Sequence, residues 1–349
     1  MYQIVVMQSY LKQLTEFSES KGRAVRMQNV KHYCELIDRV GRAFEVEPSF
    51  GIPPKIMLFP EASFAGYPPL GLPIKEWIKC GCTQMPGEET DLLAEKAKQL
   101  GIYVGGNSYE APDDWPGCYF NCSFIIDPKG KVVLKYRRIQ SLWSGITPHD
   151  ILDDYVKKDV PLFPVLDTKL GRIAIFPCGE INFPEIARCF MLNGAEVFLH
   201  TTGEPRGEVE WFQEMGKRSR AYENKTYLAS ANRGNPDCHG GSAIFDYNAR
   251  VLARANTPGE TYISAIIDIS ALRRIRNTWG YSSFPARLRL EVYASSYQKV
   301  VCPANRFLRK PREKLIQFGE VPPEIRKNLA KNKYISETED TKDYVDITK

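Results

Sequence analysis

The run Phe176-Pro177-Cys178-Gly179-Glu180-Ile181-Asn182-Phe183-Pro184-Glu185 constrains this chain more than any other. An apolar strand, Arg172-Ile173-Ala174-Ile175-Phe176, leads into it. A helix follows from near Pro184, because proline suits a first helical turn, where its missing N–H costs no hydrogen bond. The spacing puts Ile186, Phe190 and Leu192 on the apolar face of that helix, and Asn193-Gly194 closes it. Cys178 therefore stands where a buried strand turns sharply toward a helix. Backbone N–H groups at such a turn face outward and can hold a developing negative charge. The positive helix end is expected to lower the thiol pKa, and the thiolate is the reactive form. A lone cysteine is also a small buried hydrophobe, so a nucleophile needs partners elsewhere in the chain.

With 349 residues, 43% apolar and 26% charged, the chain can bury a large core as one big domain or two. The net charge of +5 is scattered and forms no basic stripe interleaved with aromatics, so nucleic acid is not an expected partner. No run approaches the eighteen apolar residues of a membrane span, and the Met-Tyr-Gln-Ile-Val-Val-Met start reads as a strand and not a signal peptide. Nine cysteines, an odd number spread along the sequence, argue against a disulfide framework and for a reducing, cytoplasmic setting. Cys80-x-Cys82 and Cys118-x3-Cys122 are not zinc spacings, and none of the four histidines forms a metal-ligand pair at helical spacing. No metal and no cofactor is expected.

Strand and helix patterns alternate. Strands are expected over 3–8, 57–59, 102–104, 119–126, 131–138, 172–177, 197–199, 227–231, 242–245, 251–255 and 261–268. Helices are expected over 25–46, 88–100, 184–193 and 208–224. Residues 139–161 read as a loop with a short helix, rich in Asp. The turns Asp127-Pro128-Lys129-Gly130-Lys131 and Asp246-Tyr247-Asn248-Ala249-Arg250 repeat one logic, which hints at a duplicated layer architecture. The class is α/β. Beyond about residue 303 the chain becomes polar and Lys-rich, Val321-Pro322-Pro323 looks like a joint, and 335–349 has too little apolar content to pack alone. The expected division is a domain over 1–300 and a polar C-terminal extension over 301–349.

Three ionisable groups stand at the ends of apolar strands: Glu61, the cluster Lys135-Tyr136-Arg137-Arg138, and Cys178. Ligands of open α/β sheets gather at strand ends. A carboxylate, a cation and a thiol make a complete acyl-transfer set. The carboxylate takes the thiol proton and later activates water, the thiolate attacks a carbonyl or nitrile carbon, and the cation with the Gly179 N–H holds the oxyanion.

Phe59-Pro60-Glu61, Tyr136-Arg137-Arg138, and Cys178 followed by Pro184-Glu185 resemble the F-P-E, Y-R-K and Cys motifs of the nitrilase (carbon–nitrogen hydrolase) superfamily. Asn193-Gly194-Ala195-Glu196-Val197, the strand through Asn232, and Gly241-Ser242-Ala243-Ile244 are similar to that family too, so the resemblance spans about 1–290. It implies a four-layer α-β-β-α sandwich, paired through its helices into a homodimer or larger homo-oligomer. It also implies hydrolysis of a small-molecule amide or nitrile through a Cys thioester. Carried over by position, Glu61 is the general base and Cys178 the nucleophile. The lysine position holds Arg138, which can stabilise an oxyanion but cannot shuttle a proton. Lys135 is expected on the opposite face of the strand. The family's second Glu has no counterpart in 139–161. Of Asp150, Asp153 and Asp154, Asp153 is taken as its substitute. Thr202 and Glu204 follow the strand after the cysteine helix and are candidate substrate contacts. Gly179, where nitrilases carry Trp, would leave room for a larger acyl group. An amidase is the first expectation. A small-ligand-binding member with little or no activity, a nitrilase and an acyltransferase are the alternatives.

Overall fold

The computed structural model describes residues 1–47, 51–69, 71–141, 146–207, 209–299, 301–302 and 323–334. Strand β1 (Tyr2–Gln8) opens the chain, followed by helix α1 (Glu19–Val46), β2 (Pro54–Leu58), α2 (Ile74–Cys80), α3 (Glu88–Leu100) and β3 (Tyr103–Glu110). The hairpin β4 (Phe120–Ile126) and β5 (Val132–Arg137) comes next, then α4 (Leu152–Lys157), β6 (Leu166–Thr168) and β7 (Gly171–Pro177). A second series repeats the plan: α5 (Pro184–Leu192), β8 (Val197–Thr201), α6 (Val209–Asn224), β9 (Tyr227–Ala231), β10 (Ala243–Phe245), β11 (Val251–Arg254) and β12 (Thr261–Ile267). Helices α7 (Ile269–Arg276), α8 (Leu290–Tyr297) and α9 (Pro323–Lys331) follow.

The strands form two six-stranded sheets, ordered β12-β1-β2-β3-β4-β5 and β11-β10-β9-β8-β7-β6. In the first, β1, β2 and β3 are parallel, with β4 and β5 added antiparallel. In the second, β7, β8 and β9 are parallel, with β10 and β11 added antiparallel. The final strand of each series crosses over: β6 pairs with β7 and β12 with β1. The duplication hinted at by the two Asp turns is therefore real in the topology. Asp127 Oδ1 accepts from the N–H groups of Lys129 and Lys131, and Asp246 Oδ1 from those of Asn248 and Arg250, each at 2.8–2.9 Å.

The strands run apolar without alternation because both faces are covered. Val5, Met7, Met57, Phe59 and Val104 pack outward against Val30, Ile37 and Phe44 of α1 and Leu93 of α3. Ile4, Val6, Ile56 and Leu58 face inward, in one cluster with Ile173, Ile175 and Leu199 of the other sheet. Phe176 and Phe198 belong to that cluster and meet edge to face, and the ring of Phe190 of α5 stacks on Phe176 at 5.7 Å between centroids. The result is helix, sheet, sheet, helix.

Several boundaries differ from the sequence pattern for identifiable reasons. Helix α1 begins at Glu19, capped by Ser18, and not at 25, because its first turns carry no apolar stripe. Gly22 there packs directly on the Cys80 carbonyl, where a Cβ would collide. Strand β3 runs on to Glu110 through Gly105-Gly106-Asn107-Ser108, residues that carry no strand signal. Leu192 is 45% exposed, and Ala187 and Met191 complete the buried face of α5 instead. The proposed joint at 321–323 and the tail 335–349 lie outside the described residues, apart from Pro323 at the start of α9. Among the described residues, no helix is long and apolar enough to cross a membrane.

Candidate active site

Glu61 lies three residues beyond β2 and is 0% exposed. A buried carboxylate is expensive unless its lone pairs are occupied, and here three donors reach it. Arg138 Nη1 and Asn121 Nδ2 donate to Oε1 at 3.0 and 2.9 Å, and Tyr67 Oη donates to Oε2 at 2.6 Å. Asn121 is itself oriented by Asn107 Nδ2 at 2.7 Å, and Asn107 Oδ1 accepts the Ala62 N–H at 3.0 Å. The turn after Glu61 is therefore fixed from β3 and β4.

Strand β5 sorts its cations by face, as its two-residue period requires. Lys135 and Arg137 project to one side and both bind Glu110, at 2.6 and 2.8 Å. Tyr136 and Arg138 project to the other. Arg138, not Lys135, is the cation at Glu61. Its Nε donates to the Gln140 carbonyl at 2.6 Å. Burial works against its charge, but Glu61 outweighs that, and the guanidinium is held above its ordinary pKa.

Cys178 directly follows β7 with φ at +42°, a left-handed conformation that costs a non-glycine residue energy and throws its side chain out of the strand line. A single turn of 3-10 helix, Cys178–Asn182, separates it from α5. The expectation that a helix end lowers the thiol pKa is not met, because α5 starts six residues later. Burial, seconded by the Glu61 carboxylate, pushes the Cys178 thiol up to about 11. Arg138, the Thr202 side chain and the Gly203 N–H pull the other way and do not win. Glu61 and Arg138 thus both bear electrostatically on the thiol, and Gln213 Nε2 lies 3.8 Å from its sulfur.

Among the described residues, no group of three His, Cys, Asp or Glu could hold a metal ion. A family model for carbon–nitrogen hydrolases matches residues 26–277, most of the chain, including all three of these groups. The chain belongs to the carbon–nitrogen hydrolase family. It is 30% identical over 202 residues to omega-amidase NIT2 of Homo sapiens, covering 55% of this chain and 71% of that one. It is 29% identical over 234 residues to a formamidase of Bacillus cereus strain AH820, covering 65% of each. Among solved structures it resembles Saccharomyces cerevisiae Nit3, with a TM-score of 0.63, 18% identity and coverage of 83% of this chain and 96% of that one. An amidase from Nesterenkonia sp. superposes with a TM-score of 0.60 at 18% identity, over 84% of this chain and 96% of that one. The fold is that of the nitrilase superfamily, and the protein is an amidase-like carbon–nitrogen hydrolase.

The remaining candidates of this hydrolase fall into two groups. Gly179 and Thr202 adjoin Cys178, and Thr202 Oγ1 also approaches Gln213 Oε1 at 3.4 Å. Glu204 is buried and already committed: Lys217 Nζ lies 2.7 Å from Oε1 and 2.8 Å from Oε2, and His239 Nε2 is 2.8 Å from Oε2. Asp153 is exposed on the first turn of α4, whereas Glu61 is buried and Cys178 half-buried. Asp150 caps its own turn, accepting from the Thr147 N–H at 3.0 Å.

Other groups emerge only in three dimensions. Tyr67, Asn121 and Gln213 meet the site from a loop, a strand and a helix. The one signal for Asn121 was a polar residue inside an otherwise apolar strand. Buried His200 lies 2.9 Å from the Cys178 carbonyl oxygen through Nε2 and 2.9 Å from Ser230 Oγ through Nδ1. Burial, with Lys217 nearby, lowers its pKa to about 4, so the imidazole is neutral. Nε2–H therefore donates to the carbonyl, Nδ1 accepts from the serine, and the ring braces the elbow by its backbone. Glu180 Oε1 accepts from Tyr136 Oη and the N–H groups of Ile139 and Gln140, each at 2.9 Å, which ties the turn after Cys178 to the segment after Arg138. Its Oε2 has no hydrogen-bond partner among the described residues. Burial outweighs these donors and Arg138, and its pKa rises to about 7.

Proposed function

We propose that the protein hydrolyses a small-molecule amide through a thioester on Cys178, with Glu61 as general base and Arg138 as the stabilising cation. The convergence of a buried carboxylate, an immobilised guanidinium and a strained cysteine from three strand ends supports this reading. Before substrate binds, the proton resides on the Cys178 sulfur, whose pKa burial and the Glu61 carboxylate raise to about 11. Glu61 takes the thiol proton as sulfur attacks the carbonyl carbon. The C–N bond breaks, the leaving nitrogen takes that proton from Glu61, and an acyl-thioester remains. Water then adds to the thioester and Glu61 accepts its proton. The C–S bond breaks, sulfur is reprotonated, and the acid leaves. Arg138 faces the charge that develops on the carbonyl oxygen at both stages, and the N–H of Gly179 joins it. Arg138 contributes charge and N–H donors, and no proton transfer.

The amide class follows the omega-amidase and formamidase names of the relatives. Exposed Phe183, Leu192, Phe212 and Met215 on and beside α5 and α6, at 40–56% exposure, support pairing of two copies through this helical layer. Sedimentation velocity checks that assembly.

Intact-protein mass spectrometry after mixing with a panel of amides, esters and nitriles tests the mechanism. An acyl adduct on Cys178 that is absent in Cys178→Ala is expected. Cys178→Ala should lose turnover by about 10⁴-fold or more. Retained rapid turnover in that variant would refute the nucleophile. Ligand binding without any adduct or turnover would point to a binding protein.

A further inference from the structure

Two positions depart together from the family pattern: Arg138 where lysine is expected, and Gly179 where nitrilases carry a large aromatic. The structure places them side by side. A Cβ on Gly179 would lie 3.0 Å from Arg138 Nη2, and no other described atom beyond its chain neighbours comes within 4 Å of that point. Gly179 is not among the glycines with positive φ, so its backbone does not require glycine. The guanidinium cannot easily withdraw. It is 8% exposed, its Nε is held on the Gln140 carbonyl, and its Nη1 is held on Glu61. A planar, three-nitrogen head is wider than an ammonium, and a Cβ at 179 would press on its third nitrogen and force it to shift.

We propose that Gly179 and Arg138 are a matched pair. The absence of a side chain after the nucleophile lets a guanidinium occupy the cation position beside Gly179, where it bears electrostatically on Cys178 and its Nη2 can donate to a substrate carbonyl. The space at Gly179 then belongs to the enzyme's own cation and not to a larger acyl group. Gly179 acts here as a positioning residue. The inference rests on the proposed role of Arg138 in hydrolysis, and its test also has a readout that needs no amide.

The experiment is a double-mutant cycle of wild type, Gly179→Ala, Arg138→Lys and the double variant, each checked by thermal melting. Two readouts are taken. One is kcat and KM on an amide that the wild type turns over. The other is the rate of Cys178 alkylation by iodoacetamide between pH 7 and 10, located by mass spectrometry, because Arg138 stabilises the thiolate. Gly179→Ala should lower kcat about tenfold with a smaller change in KM, and should slow alkylation. The two changes combined should cost far less than the product of their separate costs, because both act on one guanidinium. Multiplicative costs in both readouts, or no effect of Gly179→Ala, would overturn the pairing. Coupled alkylation in a protein that hydrolyses no amide would instead overturn the amidase reading and leave the pair standing. Gly179→Ser and Arg138→Gln serve in the same cycle if either first variant melts far below wild type.

Discussion

Glu61 and Glu204 occupy corresponding places in the two halves of the molecule. Each lies three residues past the middle parallel strand of its sheet, each is 0% exposed, and each has a cation within 3.0 Å. Their surroundings differ in one respect that decides what they can do. Glu204 has an ammonium against both oxygens and an imidazole besides, and Lys217 with His239 holds it at a pKa of about 2 despite burial. A carboxylate held that firmly charged takes no proton near neutral pH. Glu61 has one guanidinium, an amide and a phenol, and the group across from it is a thiol with a proton to give. The same position in a duplicated scaffold thus serves as an anchor in one half and as a candidate base in the other.

Substitution should separate the two roles. Glu61→Gln keeps the size and the acceptor oxygen but removes the basicity, so kcat should fall by about 10²–10⁴-fold. Steady-state kinetics on the folded variant measures this, and a loss below tenfold would remove Glu61 from proton transfer. Glu204→Gln should act on stability instead. It leaves Lys217, 1% exposed, as an uncompensated buried charge and should cost about 3–5 kcal/mol in a denaturant titration. A catalytic collapse in Glu204→Gln without that destabilisation would return Glu204 to the substrate site.

Acid titration sharpens the same contrast. Glu204 has its folded pKa depressed from 4.5 to about 2. Its stabilising contribution is complete above about 4.5 and disappears as pH falls through about 2. Unfolding free energy of Glu204→Gln should therefore vary less with pH than that of wild type across this window. Glu180 has the opposite sign, raised from 4.5 to about 7. Its contribution is complete below about 4.5 and is lost as pH rises through about 7, where the buried carboxylate must ionise. Glu180→Gln should thus gain on wild type between pH 5 and pH 8 by a shift of about 2 °C in melting temperature. A difference that does not grow with pH would place that titration elsewhere.

The sequence by itself determined the layer plan and marked Glu61, Arg138 and Cys178 as ionisable groups at strand ends. Uninterrupted apolar runs ending in Glu61 and Cys178 require strands covered on both faces, and the two Asp turns carry the duplication. The period of a strand was enough to put Lys135 and Arg138 on opposite faces of β5. Tertiary structure decided the rest, because each remaining property depends on neighbours far along the chain. Asn107 lies in Gly-Gly-Asn-Ser, a stretch with no strand preference that becomes β3 only because β2 and β4 flank it. Tyr67 reaches Glu61 through a loop, whereas Asp153, inside the expected window, ends up on an exposed helix face. The thiol pKa rises because burial and a carboxylate outweigh a helix end that proves to be too distant. Gly179 has meaning only once Arg138, 41 positions earlier, is folded against it.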